Sequence, residues 1–151
     1  MAFTAGTYPT YTAFNELPRG VLGVTVGTAT TYQNNTASYT QLTASAGSSP
    51  SLVLTLQTDR KYRARFHGRF RNASNTYILI GFHEGGTLRD AAQFKLYATQ
   101  TTHRAEWVFT PNAGGAVTYM IQVALNGSGT IVADANAQFP MVFSIEDLGL
   151  A

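Results

Sequence analysis

The residues with the widest chemical range are three histidines, His67, His83 and His103. They occur singly, with no His-Glu-x-x-His, and the neighbours His83 and Glu84 must project to opposite faces of any strand that holds them. A metal site needs several such ligands converging, and this spacing brings none together. The chain has no cysteine, which excludes thiolate nucleophiles, Cys-ligated metals and disulfides at once. No Gly-x-Ser-x-Gly occurs. Gly85-Gly86, Gly114-Gly115 and Gly127-Ser128-Gly129 lack the Lys-Ser/Thr of a phosphate-binding loop and read as tight turns. The adjacent carboxylates Glu146 and Asp147 fall at a strand end near the C-terminus and are expected at the surface rather than in acid–base work. The sequence thus predicts a non-enzyme, with no catalytic residue, metal or cofactor.

The most ordered charge pattern is Lys61-Tyr62-Arg63-Ala64-Arg65-Phe66-His67-Gly68-Arg69-Phe70-Arg71. In a strand, Lys61, Arg63, Arg65, His67, Arg69 and Arg71 share one face, while Tyr62, Phe66 and Phe70 turn to the core. Arg60 stands beside the row. An unpaired row of this kind repels itself and favours an anionic partner, so it is assigned to a subunit interface. A solvated face paired by Glu84, Asp90, Glu106, Glu146 or Asp147 from neighbouring strands is the plainer reading. Nucleic acid is disfavoured, because the net charge is only +2 and the aromatics of this strand point away from the basic face.

Period-two alternation continues along the chain. Leu52, Leu54 and Leu56 alternate with Val53, Thr55 and Gln57. Further strands are expected at Val21–Thr28, Tyr77–Glu84, Gln93–Thr99, Arg104–Thr110, Val117–Leu125, Thr130–Ala135 and Met141–Glu146. Gly/Pro/Asn/Ser clusters punctuate them. Residues 86–93 have room for one helical turn, and 28–51 should include a long loop. Trp107, between Ala105 and Phe109, belongs to a core face. Short strands at this spacing predict an all-β antiparallel sandwich, with a jelly roll the leading topology.

Residues 1–19 differ from the rest. Phe3, Tyr8, Tyr11, Phe14 and Leu17 follow no steady period, Pro9 and Pro18 enforce extended backbone, and Arg19 closes the segment. It reads as an extended arm that docks on a partner, ahead of a sandwich domain at 20–151, because five large apolar groups need a surface to cover them; packing back onto its own domain is the plainer reading. Charged residues make up 12% of the chain, about half the usual share, which suits strands rich in Thr, Tyr and Val better than solvated helices. No run approaches the roughly 18–20 apolar residues of a membrane helix, and the first residues show no secretory pattern. Three Asn-x-Ser/Thr triplets, starting at Asn34, Asn72 and Asn126, are no more than a Ser/Thr-rich chain yields by chance.

Both ends of the chain carry more specific motifs. Phe3-Thr4-Ala5-Gly6, Thr12-Ala13-Phe14-Asn15 and Leu17-Pro18-Arg19-Gly20, followed far downstream by Phe143-Ser144-Ile145-Glu146-Asp147-Leu148-Gly149, resemble the terminal segments of small structural proteins from tailed phages of actinobacteria. The resemblance covers about 20 residues at the start and seven at the end. Tyr8-Pro9 and Tyr11 depart from the aliphatic and small residues more usual in that family. The resemblance implies a virion protein, assembled in a bacterial cytoplasm, whose arm docks on the major capsid protein or another virion component and whose sandwich is displayed. One compact domain without a shaft favours a capsid decoration or minor capsid protein. A minor tail or fibre protein that binds a host-surface glycan is the alternative. A homotrimer is the expected self-assembly.

Overall fold

A computed structural model describes residues 17–28, 30–42 and 50–151. The segments alternating in period two form eleven strands: β1 (Gly20–Gly27), β2 (Thr30–Asn34), β3 (Thr40–Gln41), β4 (Ser51–Thr55), β5 (Arg60–Arg71), β6 (Tyr77–Glu84), β7 (Thr87–Lys95), β8 (Thr101–Phe109), β9 (Ala116–Asn126), β10 (Ile131–Ala135) and β11 (Met141–Leu150). No helix occurs among the described residues.

Every pairing is antiparallel, and the strands form two sheets. In the first sheet, β1 and β2 lie end to end beside β11 and β10, which together line one edge of β5; β8 lines the other edge. In the second, β3 and β4 lie end to end beside β9, followed by β6 and β7. With each interrupted pair taken as one strand, the chain wraps in the order 1-8-3-6 over 2-7-4-5, which is the jelly-roll arrangement. The sandwich expected from the alternation is the fold that forms.

One local expectation is corrected. Residues 86–93 hold no helical turn: Gly85 and Gly86, at φ +57° and +84°, close a two-residue hairpin that sends the chain straight back as β7. Within 28–51, β2 and β3 form, and residues 43–49 of the expected loop lie outside the described residues.

The core lies between the sheets. Tyr62, Ala64, Phe66 and Phe70 of β5 are buried, as the alternation predicts. Phe82 of β6 is the hub, stacking on Trp107 at 5.7 Å and packing against Phe109 at 4.8 Å and Phe143 at 6.4 Å from the opposite sheet. Each fully buried side chain of this size contributes about 1.5–3 kcal/mol through the apolar surface removed from water. Glu84, in phase with Phe82, is buried too. It is ion-paired to Arg89 and accepts from the Asn112 amide at 2.9 Å, tying the β8–β9 turn to the β6–β7 hairpin.

Candidate functional site

Two features bear on function, one at the root of the N-terminal segment and one on the outer face of the first sheet. At the root, Arg60 opens β5 on the same side as Tyr62 and is fully buried. Asp147 lies on the inward phase of β11 with Phe143 and Ile145, and it is 1% exposed. The two meet as a fork. Arg60 Nε donates to Asp147 Oδ2 at 2.9 Å and Nη2 donates to Oδ1 at 3.0 Å. The same Nη2 donates to the Leu17 carbonyl at 2.6 Å. Arg19 Nε lies 3.9 Å from Asp147 Oδ2, and Gly20 pairs with Asp147 across β1 and β11.

Leu17-Pro18-Arg19-Gly20 and the closing motif around Asp147, some 130 residues apart, therefore meet in one structural unit. Asp147 supplies the buried charge. Gly149, at φ +108°, takes the backbone through a bulge in the β11–β5 register, and its amide donates to Asp147 Oδ1 at 2.8 Å. The expectation that Glu146 and Asp147 are both surface carboxylates is corrected for Asp147. Adjacent residues on a strand face opposite ways, so only Glu146 turns outward. A sequence signal for the pair exists: Arg60 and Asp147 each occupy the inward phase of an otherwise apolar strand.

Of the proposed arm residues, Leu17 and Arg19 belong to this root, while Phe3, Tyr8, Tyr11 and Phe14 lie outside the described residues.

On the outer face, the register lays side chains in rows across β1, β11, β5 and β8: Val21, Glu146, Arg63, Val108; then Val24, Ser144, Arg65, Glu106; then Val26, Val142, His67, Arg104. Lys61, Arg63, Arg65, His67, Arg69 and Arg71 all project here, as the alternation requires. Much of their mutual repulsion is answered within the domain. Arg65 Nε donates to Glu106 at 3.0 Å and Arg65 Nη1 lies 3.4 Å from Glu146. Arg63 Nε stands 3.4 Å from Glu106, and Arg71 Nε donates to Asp134 at 3.1 Å. Asp134 also accepts from Gln100 Nε2 at 2.6 Å, and Gln100 is bonded in turn to Arg69.

Glu106 and Glu146 are thus partners foreseen in the sequence, whereas Glu84 turns inward to Arg89 and Asp147 to Arg60. Asp134 and Arg104 join the face unforeseen. Alternation places each outward on its own strand, but only the sheet order brings them beside β5.

Two depressions mark this face. One, of about 420 Å³, is lined by Arg65, His67, Arg104, Glu106, Val142 and Ser144. The other, of about 300 Å³, is lined by His67, Arg69, Thr102, Arg104, Gln138 and Phe139. His67 and Arg104 belong to both. The Arg69 guanidinium stacks over the Phe139 ring at 4.0 Å. Burial, and then the charge of Arg104, hold His67 below the usual histidine range, and a backbone hydrogen bond at Pro140 opposes them.

The other two histidines lie elsewhere. His83 is buried on the outer side of the second sheet beneath Tyr39, at 5.2 Å, and His103 faces inward between Phe70 and Phe94. Among the described residues, no three His, Asp or Glu side chains gather into a metal-binding group.

No family profile matches the chain, and no curated protein does. Among solved structures, the xylan-binding CBM22-1 domain of Paenibacillus barcinonensis Xyn10C is 13% identical, over 87% of this chain and 96% of that one, at a TM-score of 0.45. A CBM4 structure is 17% identical over 64% of this chain, at a TM-score of 0.41; the match spans 59% of that chain, less than two thirds of its length. The sugar-binding C-terminal domain of EclA is 11% identical over 79% of each chain, at a TM-score of 0.39. These are likenesses of chain trace alone.

Proposed function

We propose that this chain is a non-enzymatic virion structural protein, a capsid decoration or minor capsid component that its N-terminal segment attaches to the particle. The observation that supports the reading is the root. Arg60 and Asp147 tie Leu17–Gly20 to the body of the sandwich, so that force on the preceding residues is carried into β5 and β11. Apart from Arg60, the residues that build this root, Leu17, Arg19, Gly20, Asp147 and Gly149, fall within the segments through which the termini resemble phage structural proteins. In this reading the partner is the major capsid protein or another virion protein, the apolar residues Phe3, Tyr8, Tyr11 and Phe14 make the contact, and copies of the domain associate as a homotrimer.

The test is a deletion of residues 2–16, which spares Leu17. The truncated protein is expected to fold, by circular dichroism, and to be missing from purified particles. Normal incorporation would defeat the attachment claim.

A second reading is favoured by one observation, the depression beside Phe139 and Arg104. There the protein is a minor tail or fibre component whose sandwich engages a glycan on the host surface.

A further inference from the structure

The outer face of the first sheet carries Lys61, Arg63, Arg65, Arg69, Arg71 and Arg104 against three carboxylates, Glu106, Asp134 and Glu146. The whole chain has a formal surplus of only +2, so this face holds more than all of it. The three carboxylates are engaged by Arg63, Arg65 and Arg71. Arg104, common to both depressions, has no carboxylate in ion-pair reach among the described residues.

We propose that the trough formed by the two depressions binds a carboxylated sugar unit of a polysaccharide, its carboxylate on Arg104 and its ring against Phe139. The proposal rests on the glycan-binding reading above and names the ligand class. A guanidinium without an acidic partner is the natural receptor for a carboxylate, which it grips through two parallel N–H donors. Phe139 is 47% exposed and held in place by Arg69, which makes it a fixed apolar platform at the end of the trough. Thr102, Gln138 and Ser144 supply hydroxyl and amide groups for sugar hydroxyls. Both depressions fall within the about 300–1,000 Å³ typical of small-ligand sites. An acidic protein surface fits less well, because a protein interface needs an apolar centre. Of the exposed valines on this face, Val21, Val24 and Val26 of β1 are separated from Arg104 by β11 and β5, and Val108 of β8 stands two rows along the strand from it, so no apolar cluster surrounds the guanidinium.

The experiment titrates the full chain with oligomers of galacturonate, glucuronate and mannuronate, with sialyllactose, and with carboxyl-reduced (neutral) forms of the uronate oligomers, by calorimetry and amide NMR. At least one acidic sugar is expected to bind and to shift resonances of His67, Arg104 and Phe139. Its neutral counterpart should bind tenfold or more weakly. Arg104→Gln and Phe139→Ala, both exposed positions whose unchanged melting temperature certifies folding, should each weaken binding by tenfold or more. Three outcomes overturn the proposal: no acidic sugar shifts the trough; the neutral form binds equally well; or a poly-glutamate peptide binds as tightly as the sugars and ignores Phe139→Ala, which would make the face an acidic-protein interface. Binding is read on isolated protein and attachment on particles, so Arg104→Gln protein that enters particles normally but loses the sugar separates the two claims.

Discussion

Arg60 and Asp147 carry the largest single-residue consequence in the molecule. Both are buried, so removing Arg60 leaves the buried Asp147 carboxylate with only the longer contact to Arg19, at 3.9 Å, as an ion-pair partner among the described residues. Arg60→Leu should destabilise the domain by roughly 3–5 kcal/mol, measured by urea denaturation. The double variant Arg60→Leu/Asp147→Leu should lose less than the two single losses combined, since no orphan charge remains. A single loss below about 1 kcal/mol would show the pair to be solvated. The histidines set a pH dependence of known sign. His67, His83 and His103 are all held below the usual range, chiefly by burial, so the folded protein binds fewer protons than the unfolded chain. Their contribution is complete above the unfolded value of about 6.5 and is lost as the pH falls below it toward the depressed folded values. The melting temperature should therefore drop from pH 7 to pH 5, and His83→Gln should flatten that part of the curve. An unchanged slope would exclude His83 as a contributor.

At the scale of elements, close approach decides which residues a strand accepts. A Cβ on Gly81 of β6 would fall 2.6 Å from Tyr39 Cε1, 2.9 Å from His83 Cε1 and 2.9 Å from Leu88 Cδ1. Gly81→Ala should therefore cost about 1–3 kcal/mol by forcing Tyr39 off the sheet, measured as a shift in the urea midpoint at unchanged slope. No midpoint shift would mean that Tyr39 moves aside freely. Alternation gave most strands and their inward faces, including the placement of Trp107 and the whole phase of β5. It did not reveal β2, β3 or the start of β7, because short polar strands such as Thr40–Gln41 have no apolar period of their own and these segments exist by pairing with β10, β9 and β6 respectively.

For the whole molecule, the root extends the described body to Leu17, three residues ahead of β1. Deleting 2–16 keeps the Leu17 carbonyl on Arg60 and sets a reference melting temperature. Deleting 2–19 removes the Leu17 carbonyl and the Arg19 side chain from the Arg60–Asp147 pair and should lower it by several degrees. Equal melting temperatures for the two truncations would place the root outside the cooperative fold. The stripe on β5 belongs to this scale as well. Its face was legible in the sequence, and Glu106 and Glu146 were among the carboxylates offered to it, but Asp134 and Arg104 were not, since sheet order alone brings β10 and β8 beside β5.

The sequence by itself determined the all-β class, the core phase of β5 and of the Trp107 strand, and the outward direction of the Lys61–Arg71 stripe, because these follow from the two-residue period of a strand. It also marked both termini as special without saying why. Only the tertiary structure decided that Arg60 and Asp147 meet, that Leu17–Gly20 and the closing motif share one root, and that Arg104 has no carboxylate in ion-pair reach among the described residues while Arg63 and Arg65 have theirs. Those facts depend on which strand lies beside which and in what register. Register is a property of the assembled sheets, fixed by the packing of the common core, and no single strand encodes it.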